Sequence, residues 1–136
     1  SELSRNMYGS EAKVTSDLIN SYAWDTAIVF IQKCGTESNS STYSYTAGLS
    51  LTSKSEPQTT GTNILNATKK VDKQCNIFDM AGNCFEWTTE TYSLSDVPCV
   101  GRGDFFSYGD GCTSYRFTYS TSGALSNCSF RPLLYL

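Results

Sequence analysis

The stretch Gln74 to Glu90, QCNIFDMAGNCFEWTTE, constrains this chain most, because it joins two apolar runs through a turn and carries two internal polar groups. Ile77, Phe78 and Met80 are apolar with Asp79 among them. Ala81-Gly82-Asn83 supplies the turn, through glycine's freedom at positive φ and asparagine's tolerance of it. Cys84, Phe85 and Trp87 resume the apolar run, and Thr88 and Thr89 favour extended backbone, so the pattern predicts strand, turn, strand. Neighbours on a strand face opposite ways, which divides Glu86 and Trp87 between two surfaces. The indole is expected inward as a core anchor, leaving Glu86 in solvent or held by a buried partner.

A chain of 136 residues has room for one compact core. The reading places one domain over residues 20–136, after an N-terminal segment, 1–19, whose only apolar pattern is Val14, Leu18 and Ile19. The first residue is not methionine, so the chain is expected to be a processed piece or the end of something longer. A formal net charge of -3 with 10 Lys+Arg, unclustered, argues against a nucleic-acid partner. The absence of histidine excludes serine–histidine catalysis and imidazole zinc sites within the chain. Six cysteines, at 34, 75, 84, 99, 112 and 128, form no Cys-x-x-Cys and read either as a disulfide framework or as free buried thiols. The longest apolar run, Ala27 to Ile31, is too short to cross a bilayer, so no direct membrane insertion is expected.

Asn20 or Ser21 reads as a helix N-cap before Tyr22 to Lys33, in which Trp24, Ala27, Ile28 and Ile31 share a face. Asp25 is placed in the first turn and Lys33 in the last, with Gly35 as the C-cap. Residues 36 to 66 are rich in serine, threonine, glycine and asparagine and predict loops, with brief extended pieces at Tyr43 and Tyr45 or Leu49 and Leu51. Gly101 and Gly103 flank Arg102, implying close backbone approach around an inward-turned guanidinium. Phe130 to Leu136 closes the chain as an apolar strand, with Pro132 at an edge or a strand beginning.

The run Asn76 to Thr88 with its Gly82-Asn83 and Glu86-Trp87, then Arg102-Gly103, Arg116 and the closing Phe130-Arg131-Pro132, resembles the formylglycine-generating-enzyme-like (sulfatase-modifying factor) family of the C-type lectin fold. The resemblance implies an α+β domain of short twisted antiparallel strands, packed helices and long loops. Trp24, Gly82, Asn83, Glu86, Trp87, Arg102, Gly103, Arg116, Phe130 and Arg131 fall at its scaffold positions. The family's oxidase activity uses two cysteines and copper after the arginine–glycine segment. Here Gly103 to Arg116 holds only Cys112, so no copper is expected and the chain resembles a non-catalytic member. The family also binds calcium, and Asn83 and Glu86 match the calcium-binding positions; a buried glutamate accepts backbone N–H groups equally well without an ion.

Residues 104–129 contain no Lys, Glu, Gln, Met or Trp, although those five types fill 19 of the first 103 positions. These are the amino acids whose codons never end in cytosine, and the pattern resembles the variable proteins of diversity-generating retroelements in phages, prophages and bacteria. That resemblance implies displayed ligand-binding residues at Phe105, Phe106, Ser107, Tyr108, Asp110, Thr113, Ser114, Phe117, Tyr119 and Ser120. Tyrosine and phenylalanine would give rigid contact area, and serine adaptable hydrogen bonds. The function expected is a non-enzymatic domain recognising a protein or glycan ligand, at a virion or bacterial cell surface rather than in the cytoplasm. The alternatives are a thiol- and metal-dependent oxidase or modifying enzyme, and a structural phage or surface component.

Overall fold

The computed structural model describes residues 15–37, 40–45, 73–93, 96–106, 112–120, 122 and 124–135. The long helix among the described residues, α1 (Ser21–Cys34), begins where Asn20, in extended conformation, accepts the Ala23 N–H at 2.8 Å on its side-chain oxygen. Trp24, Ile28 and Ile31 are buried on one face with Ala27 packed beside them, as the spacing predicts. Asp25 lies just beyond the first turn, which carries no acidic residue; it serves an ion pair with Arg102 rather than the helix dipole. Gly35 does end the helix, donating to the Ile31 carbonyl at 2.8 Å, but in extended rather than left-handed backbone. Glycine is needed there for space, because a Cβ would stand 2.4 Å from Ser40 Oγ.

The core gathers Ile19, Trp24, Ile28, Ile31, Tyr43, Met80 and Ala81. Trp24 is fully buried and its indole N–H donates to the Thr113 carbonyl at 2.9 Å. Burying a side chain of that size contributes about 4–6 kcal/mol before conformational entropy is subtracted. Tyr43 sits in a 3-10 helix, Ser40–Tyr45, not in the extended piece predicted; Leu49 and Leu51 lie outside the described residues.

The strands are β1 (Thr15–Leu18), β2 (Lys73–Gln74), β3 (Ile77–Phe78), β4 (Phe85–Thr91), β5 (Cys99–Arg102), β6 (Arg116–Tyr119), β7 (Cys128–Phe130) and β8 (Pro132–Tyr135). The predicted hairpin of Ile77–Phe78 with the following strand does not form. β3 pairs instead with β2 across Cys75 and Asn76, both at positive φ (51° and 64°), the signature of a type I′ hairpin turn. Asp79 and Asn83 then take positive φ, and Gly82 does not, so the second turn rests on the acidic and amide side chains.

The main sheet has the order β6-β5-β4-β7, with β4 and β7 parallel and the other pairs antiparallel. β1 and β8 form a separate antiparallel pair in which Pro132 opens β8 opposite Leu18, so a strand does begin at Pro132, but the single closing strand expected from Phe130 divides, Phe130 ending β7 in the main sheet. On β4 the alternation of Glu86 and Trp87 is present but reversed. Glu86 and Thr88 are buried, Glu86 opposite Arg102 and Thr88 donating to the Val100 carbonyl, while Trp87 is only half-buried on the outer face, its ring 5.5 Å from Phe117. The reversal follows from the neighbours. Arg102 stands opposite Glu86 inside, and Gly101 opposite Trp87 leaves the outer face open for the Phe117 ring.

Gly103 is held at φ +83°, and a Cβ there would stand 2.8 Å from the Met80 carbonyl. Gly103→Ala is expected to cost about 1–2 kcal/mol or more, read as a fall in thermal midpoint by circular dichroism. An unchanged midpoint would show that this backbone is not held left-handed.

Candidate functional site: the outer face and groove along β6

Five ion pairs among the described residues set the frame on the inner side, Arg102–Glu90 at 3.9 Å among them. Arg131 closes bidentately on Glu86, at 2.8 Å to Oε2 and 2.7 Å to Oε1, and donates to the Phe78 carbonyl at 2.8 Å. Burial pushes the Glu86 carboxyl above the usual carboxylate range, and Arg131 pulls it partly back. Arg102, 2% exposed, donates to Asp25 and lies 5.9 Å from the Trp24 ring centroid. Glu90 accepts from Ser21 and stands 3.3 Å from Arg116 Nε, and Arg116 is also 3.9 Å from Asp25.

Asn83 and Glu86, the positions implied for calcium, are both buried. Both carboxylate oxygens of Glu86 accept from the Arg131 guanidinium. Among the described residues no group of three or more His, Cys, Asp or Glu converges as a metal site.

The outer face is aromatic. Phe85 stacks with Phe117 at 4.0 Å between ring centroids and with Phe105 at 4.9 Å; Tyr115 and Tyr119 extend the cluster at 6.4 Å from Phe85 and 6.0 Å from Phe117. Tyr115 and Tyr119 remain 44% and 42% exposed. A groove of about 640 Å³ wraps the β6 edge, lined among others by Glu90, Tyr92, Tyr115, Arg116, Phe117 and Thr118.

Of the residues expected on the display surface, Phe117, Tyr119 and the partly buried Phe105 meet on this face, while Ser120 bonds Ser122 at 2.8 Å nearby. Ser114 is half-buried beside Cys112. Phe106 and Thr113 are corrections, since both are buried. The Phe106 N–H donates to the Asn83 carbonyl, and the Thr113 carbonyl receives Trp24, so each ties the loop to the core instead of facing solvent. Ser107, Tyr108 and Asp110 lie outside the described residues. Arg116, expected as scaffold, is half-exposed at the groove, and Phe130 is half-buried on β7. Tyr115 and Tyr92 were missed by the sequence reading. Tyr115 was legible from its period-two spacing with Phe117 and Tyr119, whereas Tyr92 follows β4 without any local signal.

All six cysteines are free thiols. Burial pushes Cys84 up to about 11, with the Glu86 charge adding to it, and burial pushes Cys128 up to about 11, with Cys84 adding.

No protein-family model matches the chain, and no curated protein matches it. Among solved structures, the crystal structure of CarF is similar, with a TM-score of 0.60 over 88% of this chain at 16% identity. The chain spans 46% of the CarF chain, under half its length. The likeness is one of fold. A mixed α+β domain with, among the described residues, a long helix and several short sheets is consistent, at this coarse level, with the formylglycine-generating-enzyme-like fold that the sequence implies.

Removing Arg131 leaves a buried carboxylate without its counter-charge, so Arg131→Ala is expected to cost about 3–5 kcal/mol near neutral pH in denaturant titration. A carboxyl whose folded pKa lies above its unfolded value, about 4.3, favours folding at acid pH and loses that contribution as pH rises through the folded pKa. The deficit of Arg131→Ala should therefore shrink toward pH 4, and a deficit that does not change with pH would contradict the pairing. In a separate check, iodoacetamide at pH 8 should label exposed Cys34 well before Cys84 and Cys128, of which only about one in a thousand is thiolate at that pH, as read by peptide mass spectrometry.

Proposed function

We propose that this chain is a non-enzymatic recognition domain whose ligand, a protein or a glycan, is met by the outer aromatic face and groove along β6. The observation that carries the reading is the set Tyr115, Phe117 and Tyr119, spaced by two along an edge strand and backed by Phe85 and Trp87 on a sheet whose inner side is locked by ion pairs. A rigid aromatic platform loses little conformational entropy when it binds. Binding rather than thiol oxidation also suits the cysteines, because the segment that would hold the family's thiol pair, Gly103 to Arg116, carries only Cys112.

In the finer reading, residues 104–129 are the variable region of a diversity-generating retroelement, and the domain acts at a virion or bacterial cell surface. What supports this is the missing set of codon types together with the position of Tyr115 to Tyr119 on the surface. Flanking genomic sequence tests it directly. An imperfect repeat of this segment, differing at adenines, is expected nearby, and its absence would remove the variable-region reading.

For the face itself, the test is an array of bacterial surface proteins and glycans probed with the chain and with Tyr119→Ala. Tyr119→Ala should weaken binding about tenfold or more while the thermal midpoint stays within about 2 °C, since the side chain is exposed. Equal binding by both forms would place the ligand elsewhere.

A further inference from the structure

β6 ends the main sheet, and the phase of its pairing tells which of its backbone groups are spent. Gly103 N–H donates to the Tyr115 carbonyl at 3.2 Å, so Gly103 and Tyr115 form a hydrogen-bonded pair of the antiparallel ladder. The register then alternates. Gly101 with Phe117 and Cys99 with Tyr119 are hydrogen-bonded pairs, while Arg102 with Arg116 and Val100 with Thr118 are the pairs between them. The N–H and C=O groups of Arg116 and Thr118 consequently point away from β5, toward the outer edge. Among the described residues nothing pairs with them.

Such an edge is a template for another strand unless proline, a lysine, a bulge or a covering element blunts it. β6 reads Arg-Phe-Thr-Tyr. Its one charge, Arg116, leans inward to Glu90 and Asp25 instead of guarding the edge. The groove runs along this same strand, so open space and open backbone coincide.

We propose that the β6 edge receives an extended polypeptide segment of a protein partner, which adds a strand to the sheet through the backbone of Arg116 and Thr118. This rests on the recognition reading above and chooses its protein branch. The chemistry of the segment follows from the two sides of β6. Alternate side chains would lie on the aromatic side, beside Phe117 and Tyr119, and there apolar or aromatic residues fit. The others would face Arg116 and Thr118, where two arginines and two carboxylates balance to no net charge, so uncharged hydrogen-bonding residues fit. A glycan could use the tyrosines but lacks the regular alternation of N–H and C=O that a strand brings to the outward groups of Arg116 and Thr118.

The probe is a phage-displayed library of random decapeptides, selected on the intact chain, keeping sequences whose binding falls with Tyr115→Ala. In synthetic versions, N-methylation is moved along the peptide one residue at a time. Strand addition predicts that methylation at alternate positions loses about tenfold or more in affinity while the intervening positions tolerate it. Loss at no position, loss at every position alike, or a library that yields no such peptide would overturn the proposal. Thr118→Pro is the matching change in the protein. It removes an outward N–H that no ladder bond uses, so the thermal transition should persist while peptide binding is lost. Unchanged binding by folded Thr118→Pro would equally overturn strand addition, and if the variant does not fold, the methylation scan decides. A ligand lost with Tyr119→Ala but indifferent to Thr118→Pro would leave the aromatic recognition face standing and sink the strand alone.

Discussion

Two opposite charges, Glu86 and Arg102, stand side by side across β4 and β5 on the buried side of the sheet, and the structure depends on how each is neutralised. Glu86 is answered by Arg131 from the segment between β7 and β8, and Arg102 by Asp25 on α1. A single buried charge costs several kcal/mol, so neither strand face could pack this way alone. The pairing therefore makes helix, sheet and C-terminal strands conditional on one another.

Placing charges inside displaces the large rings outward. An ordinary half-buried sheet carries apolar residues toward its core, yet the inner face of this one carries Glu86, Thr88, Val100 and Arg102, with Arg102 over the Trp24 ring, while Ile28 and Ile31 pack with Tyr43, Met80 and Ala81. Phe85, Trp87, Phe117 and Tyr119 gather on the opposite side, where their contacts with one another replace a second layer. Gly101 makes this possible, since any side chain opposite Trp87 would occupy the space of the Phe117 ring, 1.9 Å from its Cβ position. On this side Tyr119 stays exposed, while Phe85 is buried against Phe105 and Phe117.

Several elements were legible from local pattern. The α1 helix, its asparagine cap and its buried face follow from spacing and side-chain chemistry within a few turns. The inward Arg102 between two glycines was also readable, because glycine pairs around a guanidinium signal close backbone packing. The strand after Asn83 was found, but its partner was not. Cys75-Asn76 and Ala81-Gly82-Asn83 are both competent turns, and only the pairing of β2 with β3 decides which one makes the hairpin. Of the residues that the resemblance implied would be displayed, Tyr119 is exposed and Phe117 half-buried, while Phe106 and Thr113, similar in kind, are buried.

What the amino acids determined alone is what depends on neighbours in the chain: one helix and its caps, extended backbone around the threonines, the alternation of Glu86 with Trp87, and tight approach at Gly101 and Gly103. Which member of each alternating pair faces the core was decided by residues far along the chain. Arg131 lies 45 positions from Glu86, and Asp25 lies 77 from Arg102. A strand's period of two divides side chains into two sets but does not say which set is inside; that choice belongs to the partners that can satisfy a buried charge, and they arrive only with the tertiary fold.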